Sequence, residues 1–518
     1  MNREKMIKQL SSEEEWDFII IGGGATGLGT AVEAASRGLK ILLLEQADFG
    51  QGTSSRSTKL IHGGVRYLQQ GNISLVLEAL KERGILRRNA PHLVHDLPFV
   101  VPNYDWWEGP FYGIGMKIYD MMAGKETFGP SKILSFEETI ARIPTIEQEG
   151  LRGGVIYHDG QFDDARLLIN LAQTAEEQGA CILNHFKVTS LTKTNDLING
   201  VEVKNQENGN CYTLKAKAVI NATGVFSDSI RKMSDSACKP IISGSQGIHI
   251  VLDKSFLPGE TGIMVPHTDD GRVIFAIPWH NRLVVGTTDT PVNNFDLEPV
   301  ALEEEIEFLL THTARYLIKN PERKDVLSVF AGLRPLVTSG NDESTAAISR
   351  EHSVLISRSG LVTIAGGKWT TYRKMAEDTV DQAAIIAQVH PKKSRTTKLA
   401  IHGAQPRDTT DHLKENFGSD AKKIKAFLKE KPEYQEKIHP DFPYVVGEII
   451  WTVREEMALK VEDILSRRTR WLLLDAKASM DAAPKVAKII AAELKKDKAW
   501  IKQEIENFNQ LAENYLLK

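Results

Sequence analysis

The first strong hydrophobic pattern in the chain is the run WDFIII at residues 16–21, a short β-branched stretch of the kind buried in a parallel sheet. It passes directly into a G-x-G-x-x-G formed by Gly22, Gly24 and Gly27, and then into an Ala-rich stretch with helical spacing that reaches Arg37. A second apolar run, Lys40 to Leu44, ends in Glu45. Two later segments have the same strand-to-glycine shape. AVINATG at 218–224 ends a strand in glycine, and GLVTIAGGKWTTYR at 360–373 reads as a strand, a Gly-Gly pair and a helix start. This patterning predicts an α/β fold with a Rossmann-like sheet assembled from separated segments. After Pro391 the chain turns Lys-rich and almost free of Gly, with helical spacing, which predicts a C-terminal all-helical region over 391–518.

Composition narrows the class. The 518 residues carry 64 Lys+Arg against 68 Asp+Glu, with 42% hydrophobic and 25% charged positions, as in an ordinary soluble globular protein. At roughly 150 residues per domain, three or four structural units are expected. No block is strongly basic, so nucleic acid is not expected as a partner. The net charge of −4 is unevenly spread: residues 391–518 hold 25 basic and 20 acidic side chains, leaving 39 and 48 before them. PKKSRTTK at 391–398 reads as a linker, which divides the chain into 16–390 and 391–518. The three cysteines, Cys181, Cys211 and Cys238, form no C-x-x-C pair, so no disulfide framework, thiolate cluster or metal site is expected. They read as buried small hydrophobes in a reducing compartment. The start, MNREKMIKQLSSEEEW, has no long apolar run behind its charges, and no secretory signal is expected. No eighteen-residue apolar run occurs, so any membrane contact is expected to be peripheral.

The glycine motif has a specific chemistry. Gly22 permits the tight turn, Gly24 lets backbone approach a pyrophosphate, and Gly27 lets helix pack on strand. The pyrophosphate would lie at the helix N-terminus, with Glu45 on a ribose hydroxyl. The loop that follows, GTSSRSTKLIHGG at 52–64, is rich in hydroxyls and glycine and suits an extended polar cofactor, which favours FAD over NAD. A second helix start after Gly367 could face the flavin N1/O2 edge and stabilise the charge that develops there on reduction. Lys368 opposes the dipole of that helix, and an anionic ligand would explain it.

Five segments then carry a family resemblance: SSRSTKLIHGGVRYL at 54–68, GIHIVL at 247–252, GTTDTP at 286–291, GLRPLV at 332–337 and GGKWTTYRKMAEDTV at 366–380. With the N-terminal motif they resemble FAD-dependent glycerol-3-phosphate dehydrogenase of the quinone-linked type, within the D-amino-acid-oxidase-like flavoproteins. RRTR at 467–470 followed by WLLLD looks like the family's helical tail. The resemblance implies a Rossmann-like FAD domain (segments about 16–75, 155–235 and 345–385) with an inserted antiparallel-sheet substrate domain (about 76–154 and 236–344). It implies non-covalent FAD contacted by Gly22, Gly24, Gly27, Glu45, Thr53, Ser54, Ser55, His62, Gly63, Gly64, Val188, Gly224, Gly367, Lys368 and Thr370. Arg66, Tyr67, Arg334 and Lys368 are the implied ligands of a phosphorylated polyol, glycerol 3-phosphate. No D-x-[DN]-x-[DN]-G loop occurs, so calcium activation is not expected.

His249 is the first choice for general base, because imidazole titrates near neutral pH; Lys368 or Arg334 could share that role. A lone histidine between apolar neighbours is otherwise a satisfied strand residue. Asp163 and Asp164 resemble a paired-carboxylate site but read better as the cap of the helix beginning ARLL. With no second redox centre, electrons must leave from the flavin to an external acceptor, and the resemblance implies a membrane quinone. The expected place is the cytoplasmic face of the membrane, held there peripherally by the aromatic-rich 104–122 or by the basic tail, with a homodimer left open. Alternatives are a glycerol-3-phosphate oxidase that makes peroxide, a related amine or amino-acid oxidase, and a non-catalytic FAD scaffold.

Overall fold

The computed structural model describes residues 1–12, 15–64, 72–266, 268–269, 271–338 and 351–517. Trp16–Ile21 lies inside a sheet ordered His352–Ile356, Val362–Gly366, Cys211–Asn221, Trp16–Ile21, Ile41–Leu44 and Cys181–Leu183. Every neighbouring pair is parallel except the first. Ile20 stands opposite Ile220 on one side and Leu43 on the other. The successive side chains Phe18, Ile19 and Ile20 are all fully buried, so both faces of the strand are covered, which is why it reads as a continuous apolar run. The helices Ala25–Ser36, Asp164–Glu177 and Tyr372–Ile386 pack together on this sheet. The outer half of Cys211–Asn221 leaves it to form an antiparallel meander with Leu197–Asn205 and Phe186–Thr194.

The second sheet is largely antiparallel. Its spine is Ile242–Asp253, paired along its length with Val326–Val337 and also with Arg282–Gly286. Val94–Asn103 and Gly153–Phe162 pair over ten residues, and Leu60–Ile61 adds to the edge of the latter. Residues 153–162 therefore belong to this sheet, and the helix Asp164–Glu177 carries the chain back to the parallel one.

The C-terminal region is helical, with Val446–Glu455, Ala476–Leu494 and Lys498–Ala512 packed near a fully buried Trp471. Its core is continuous with that of the antiparallel sheet, since Leu472 and Ile464 cluster with Val251, Ile277 and Phe330. Buried arginines join it to the parallel-sheet region. Arg467 and Arg468 donate to Asp48 at 2.6 and 2.5 Å, Arg166 pairs with Glu456, and Arg470 Nε lies 2.9 Å from Asp163. Three of the tail's cations are thus internal rather than surface charge. The segment after Pro391 is tied down: Arg37 donates to the Lys392 carbonyl at 2.7 Å, and Ser394 and Thr396 donate to buried Glu33.

One sequence expectation is corrected. Only Cys181 is buried; Cys211 is exposed and Cys238 half-buried. Cys211 begins its strand at the outer end of the meander, where alternate side chains face solvent. The aromatic-rich stretch after Trp107 is a helix, Glu108–Ala123, and one of its faces is exposed. Among the described residues, no helix is long and apolar enough to cross a membrane.

Candidate active site

The carboxyl ends of the parallel strands open into a groove of about 610 Å³. Gly22, Gly24, Glu45, Thr53, Ser54, Val188, Gly224, Gly367 and Lys368 line it. Gly22 has φ +110°, and a Cβ on it would strike the Ala222 carbonyl. A Cβ on Gly27 would overlap the Gly22 carbonyl, so this glycine serves helix–strand packing and does not reach the groove. Ser54 Oγ accepts from the Ala25 backbone N–H at 3.0 Å and so occupies the helix N-terminus where an anion is expected. Glu45 accepts from the N–H of Gly23 at 2.6 Å and of Ala47 at 2.9 Å. Burial pushes its carboxyl up, and those two N–H groups pull it back. Carboxylate, hydroxyls and glycine cradle together fit an extended dinucleotide, with Glu45 and Val188 toward one end and Gly367 and Lys368 toward the other.

Ser55, Gly63 and Thr370 do not line the groove; they brace its walls. The Ser55 carbonyl accepts from Lys59 Nζ at 2.6 Å, and the Gly63 N–H donates to Tyr119 at 2.7 Å. The His62 N–H donates to Thr370 Oγ1 at 3.3 Å. Lys368 caps the short turn Trp369–Thr371 that enters the helix Tyr372–Ile386, and Trp369 Nε1 donates to the Ser54 carbonyl at 2.7 Å.

A second cavity of about 240 Å³ lies against the antiparallel sheet, lined in part by Thr58, His62, Gly64, Arg272, Thr287, Asp289 and Arg334. Pro335 lines the groove and Arg334 lines this cavity, so the two adjoin at consecutive residues. Strand pairing builds the cavity wall. Arg334 stands opposite Ser245, Phe330 opposite His249, and His249 also opposite Gly286. A Cβ on Gly286 would collide with the His249 ring, so glycine is what admits the imidazole there. Arg334 donates to Ser245 Oγ (3.1 Å), Thr287 Oγ1 (3.2 Å) and the Thr288 carbonyl (2.9 Å), and lies 3.4 Å from Asp289. These contacts aim a guanidinium fork at the cavity, a geometry suited to phosphate oxygens.

His249 is buried, stacked on Phe330 with centroids 4.8 Å apart, and its Nε2 lies 2.9 Å from Thr58 Oγ1. Burial, then the charges of Lys59 and Arg334, hold its imidazole well below the ordinary range. It is therefore neutral at pH 7. Asp163 caps its helix, accepting from the Arg166 N–H at 3.0 Å, and also receives His280. Asp164 is engaged by Lys59 at 2.8 Å to both oxygens. The carboxylate pair is structural. Arg66 and Tyr67 lie outside the described residues. Thr58, Thr287 and Asp289 were not singled out from the sequence, although each stands inside a quoted motif. Their hydroxyl and carboxylate chemistry inside glycine-bearing loops was the available signal.

Comparison with known proteins agrees with this geometry. The FAD dependent oxidoreductase model matches residues 17–373, and that of the C-terminal domain of alpha-glycerophosphate oxidase matches 358–501. The mitochondrial glycerol-3-phosphate dehydrogenase of Mus musculus is 40% identical over 540 residues, covering 98% of this chain and 74% of that protein. The mitochondrial enzyme of Arabidopsis thaliana is also 40% identical, covering 99% and 88%. The Bacillus halodurans glycerol-3-phosphate dehydrogenase, solved in complex with FAD, superposes with a TM-score of 0.82 at 29% identity, over 99% of this chain and 97% of that one. The L-alpha-glycerophosphate oxidase of Mycoplasma pneumoniae, at 18% identity and a TM-score of 0.57, shares the fold. Two-cavity architecture, dinucleotide cradle and identity along nearly the whole length converge: the chain belongs to the FAD-dependent glycerol-3-phosphate dehydrogenase family.

Proposed function

We propose that this enzyme oxidises sn-glycerol 3-phosphate to dihydroxyacetone phosphate and passes the electrons to a membrane quinone. The observation that carries the reading is the meeting of the two cavities at Arg334–Pro335, with Lys368 on the groove side. This places a cation-lined chamber at the end of the cofactor groove away from Glu45. Bound there, FAD supplies the hydride acceptor. Arg334 and Lys368 hold the phosphate and the developing oxyanion, with Arg66 and Tyr67 assigned to substrate by the family resemblance alone. His249 takes the hydroxyl proton.

An exposed apolar face supports the membrane part of this reading. Along the helix Glu108–Ala123, Phe111, Ile114, Ile118 and Met121 are exposed, while Tyr112, Met116 and Tyr119 face the core. Trp106 is 77% exposed, and Ile73, Leu77 and Ile133 add further exposed apolar side chains. A helix apolar on both faces, with tryptophan at its start, supports peripheral docking on a membrane. The burial of three tail arginines favours this apolar face over the basic tail as the docking surface.

Anaerobic addition of sn-glycerol 3-phosphate is expected to bleach the flavin. Turnover should continue with a soluble quinone analogue and form little peroxide in air. A flavin left yellow would refute the reading, and stoichiometric peroxide would replace the dehydrogenase with an oxidase. Trp106→Ser combined with Met121→Ser should weaken vesicle binding and leave the bleaching rate unchanged.

A further inference from the structure

The cavity wall raises a question about proton transfer. His249 is 2% exposed and does not line the smaller cavity, so its imidazole stands behind the wall. Thr58 does line that cavity, and its Oγ1 is 2.9 Å from His249 Nε2. A hydroxyl is both donor and acceptor, so it can take one proton while giving up another. We propose that Thr58 is a catalytic residue, relaying the proton from the substrate's carbon-2 hydroxyl to His249. The inference rests on the reading of His249 as the base.

The local structure fits a relay better than a flexible contact. Thr58 lies between two residues anchored to one carboxylate: Ser57 donates to Asp164 through its N–H (3.1 Å) and its Oγ (2.7 Å), and Lys59 Nζ binds both oxygens of Asp164. Lys59 Nζ also lies 5.3 Å from the centre of the Phe330 ring, on which His249 stacks. One carboxylate thus fixes the backbone on both sides of Thr58. No hydrogen bond to His249 Nδ1 is found among the described residues, so the ring is oriented by Thr58 and Phe330 rather than by a carboxylate.

The step balances. The substrate loses two electrons and a hydrogen nucleus from carbon 2 as a hydride to the bound FAD, and its carbon–oxygen bond becomes a carbonyl. The hydroxyl proton passes to Thr58 Oγ1 as the proton of Thr58 passes to His249 Nε2. Thr58 ends neutral, and His249, now an imidazolium, returns its proton to solvent before the next turnover.

The test is anaerobic stopped-flow reduction of the FAD-loaded enzyme by sn-glycerol 3-phosphate. Thr58→Val should slow reduction by about 10²- to 10⁴-fold, the range of positioned acid–base catalysis. The substrate concentration for half-maximal rate should hold within about threefold. Thr58→Ser, which keeps the hydroxyl, should stay within about fivefold of the parent. In the parent, a plot of rate against deuterium fraction should bow downward, because two protons move together. A straight or flat plot overturns the relay without recourse to any variant. So does reduction of Thr58→Val within fivefold of the parent, or loss by Thr58→Ser equal to that of Thr58→Val. If His249→Ala reduces at the parental rate, the base assignment itself fails. If His249→Ala is slow and Thr58→Val is not, only the relay fails.

Discussion

Replacing Lys59 by methionine tests how the cofactor loop is held. Lys59 and Asp164 are both fully buried, and Lys59 Nζ donates to two carboxylate oxygens at 2.8 Å and to the Ser55 carbonyl at 2.6 Å. Methionine roughly conserves the volume but leaves Asp164 charged without its cation. Breaking a buried pair from one side costs about 3–5 kcal/mol. The low end applies here, about 3 kcal/mol, because Ser57 N–H, Ser57 Oγ and the Ala165 N–H still donate to Asp164. The assay is urea unfolding at fixed excess FAD, read by tryptophan fluorescence at several pH values. Burial raises the Asp164 carboxyl, and Lys59 is the largest influence opposing that rise. Without Lys59 the raised carboxyl protonates more readily in the fold than in the unfolded chain. The deficit should therefore be full at pH 7–8 and shrink as the pH falls toward 5. Adding Asp164→Asn, which removes the charge and keeps an oxygen for Ser57, should recover at least half of the loss. A single variant within about 1 kcal/mol of the parent would refute the reasoning, given the cost assigned to an unpaired buried charge. So would a double variant with no recovery at pH 7.

Arg334→Lys should lower kcat/KM for sn-glycerol 3-phosphate by about thirtyfold or more, since a point charge replaces a fork worth about 2–5 kcal/mol. Steady-state kinetics at saturating FAD measures it. Glu45→Gln should weaken FAD binding about ten- to a hundredfold, the worth of hydrogen bonds to a charged acceptor, as read by flavin fluorescence on titration of apoprotein. His402 bridges Glu177 and Asp420; burial opposes its charge, but those carboxylates raise its imidazole and His402 helps hold Asp420 down to about 2. A raised imidazole stabilises the fold below its unfolded value near 6.5 and loses that contribution as pH rises through the folded one. The stability gap between parent and His402→Gln should accordingly be widest near pH 6 and close toward pH 9, as thermal melts at the two values would show.

The legible part of the site was local. WDFIII, the three spaced glycines and Glu45 lie within thirty residues, and each acts through backbone geometry that neighbouring residues set. Both faces of Trp16–Ile21 are buried, so its apolar run announces a buried strand before any partner is known. Arg334 and His249 were visible as chemistry but not as geometry. Their place depends on Ser245–Arg334 and His249–Phe330 lying opposite each other in a pairing that spans some eighty residues of chain. Cys211 went astray for a related reason. Cysteine's tendency to be buried says nothing about which end of a strand leaves the core.

The sequence alone pointed to a dinucleotide cofactor, because close approach to a pyrophosphate can be met only by glycine at particular spacings, and spacing is written along the chain; the family came from the resemblance of several separate motifs. Tertiary structure decided which side chains face the substrate. Thr58 and His249 are 191 positions apart, and the Lys59–Asp164 pair 105. It also decided that the arginines of RRTR bind buried carboxylates instead of lengthening a basic surface. A charge or a hydroxyl is identical in one-letter code whether it meets water or a partner. Only the fold brings the partner within 3 Å, and at that distance hydrogen bonding and desolvation outweigh composition.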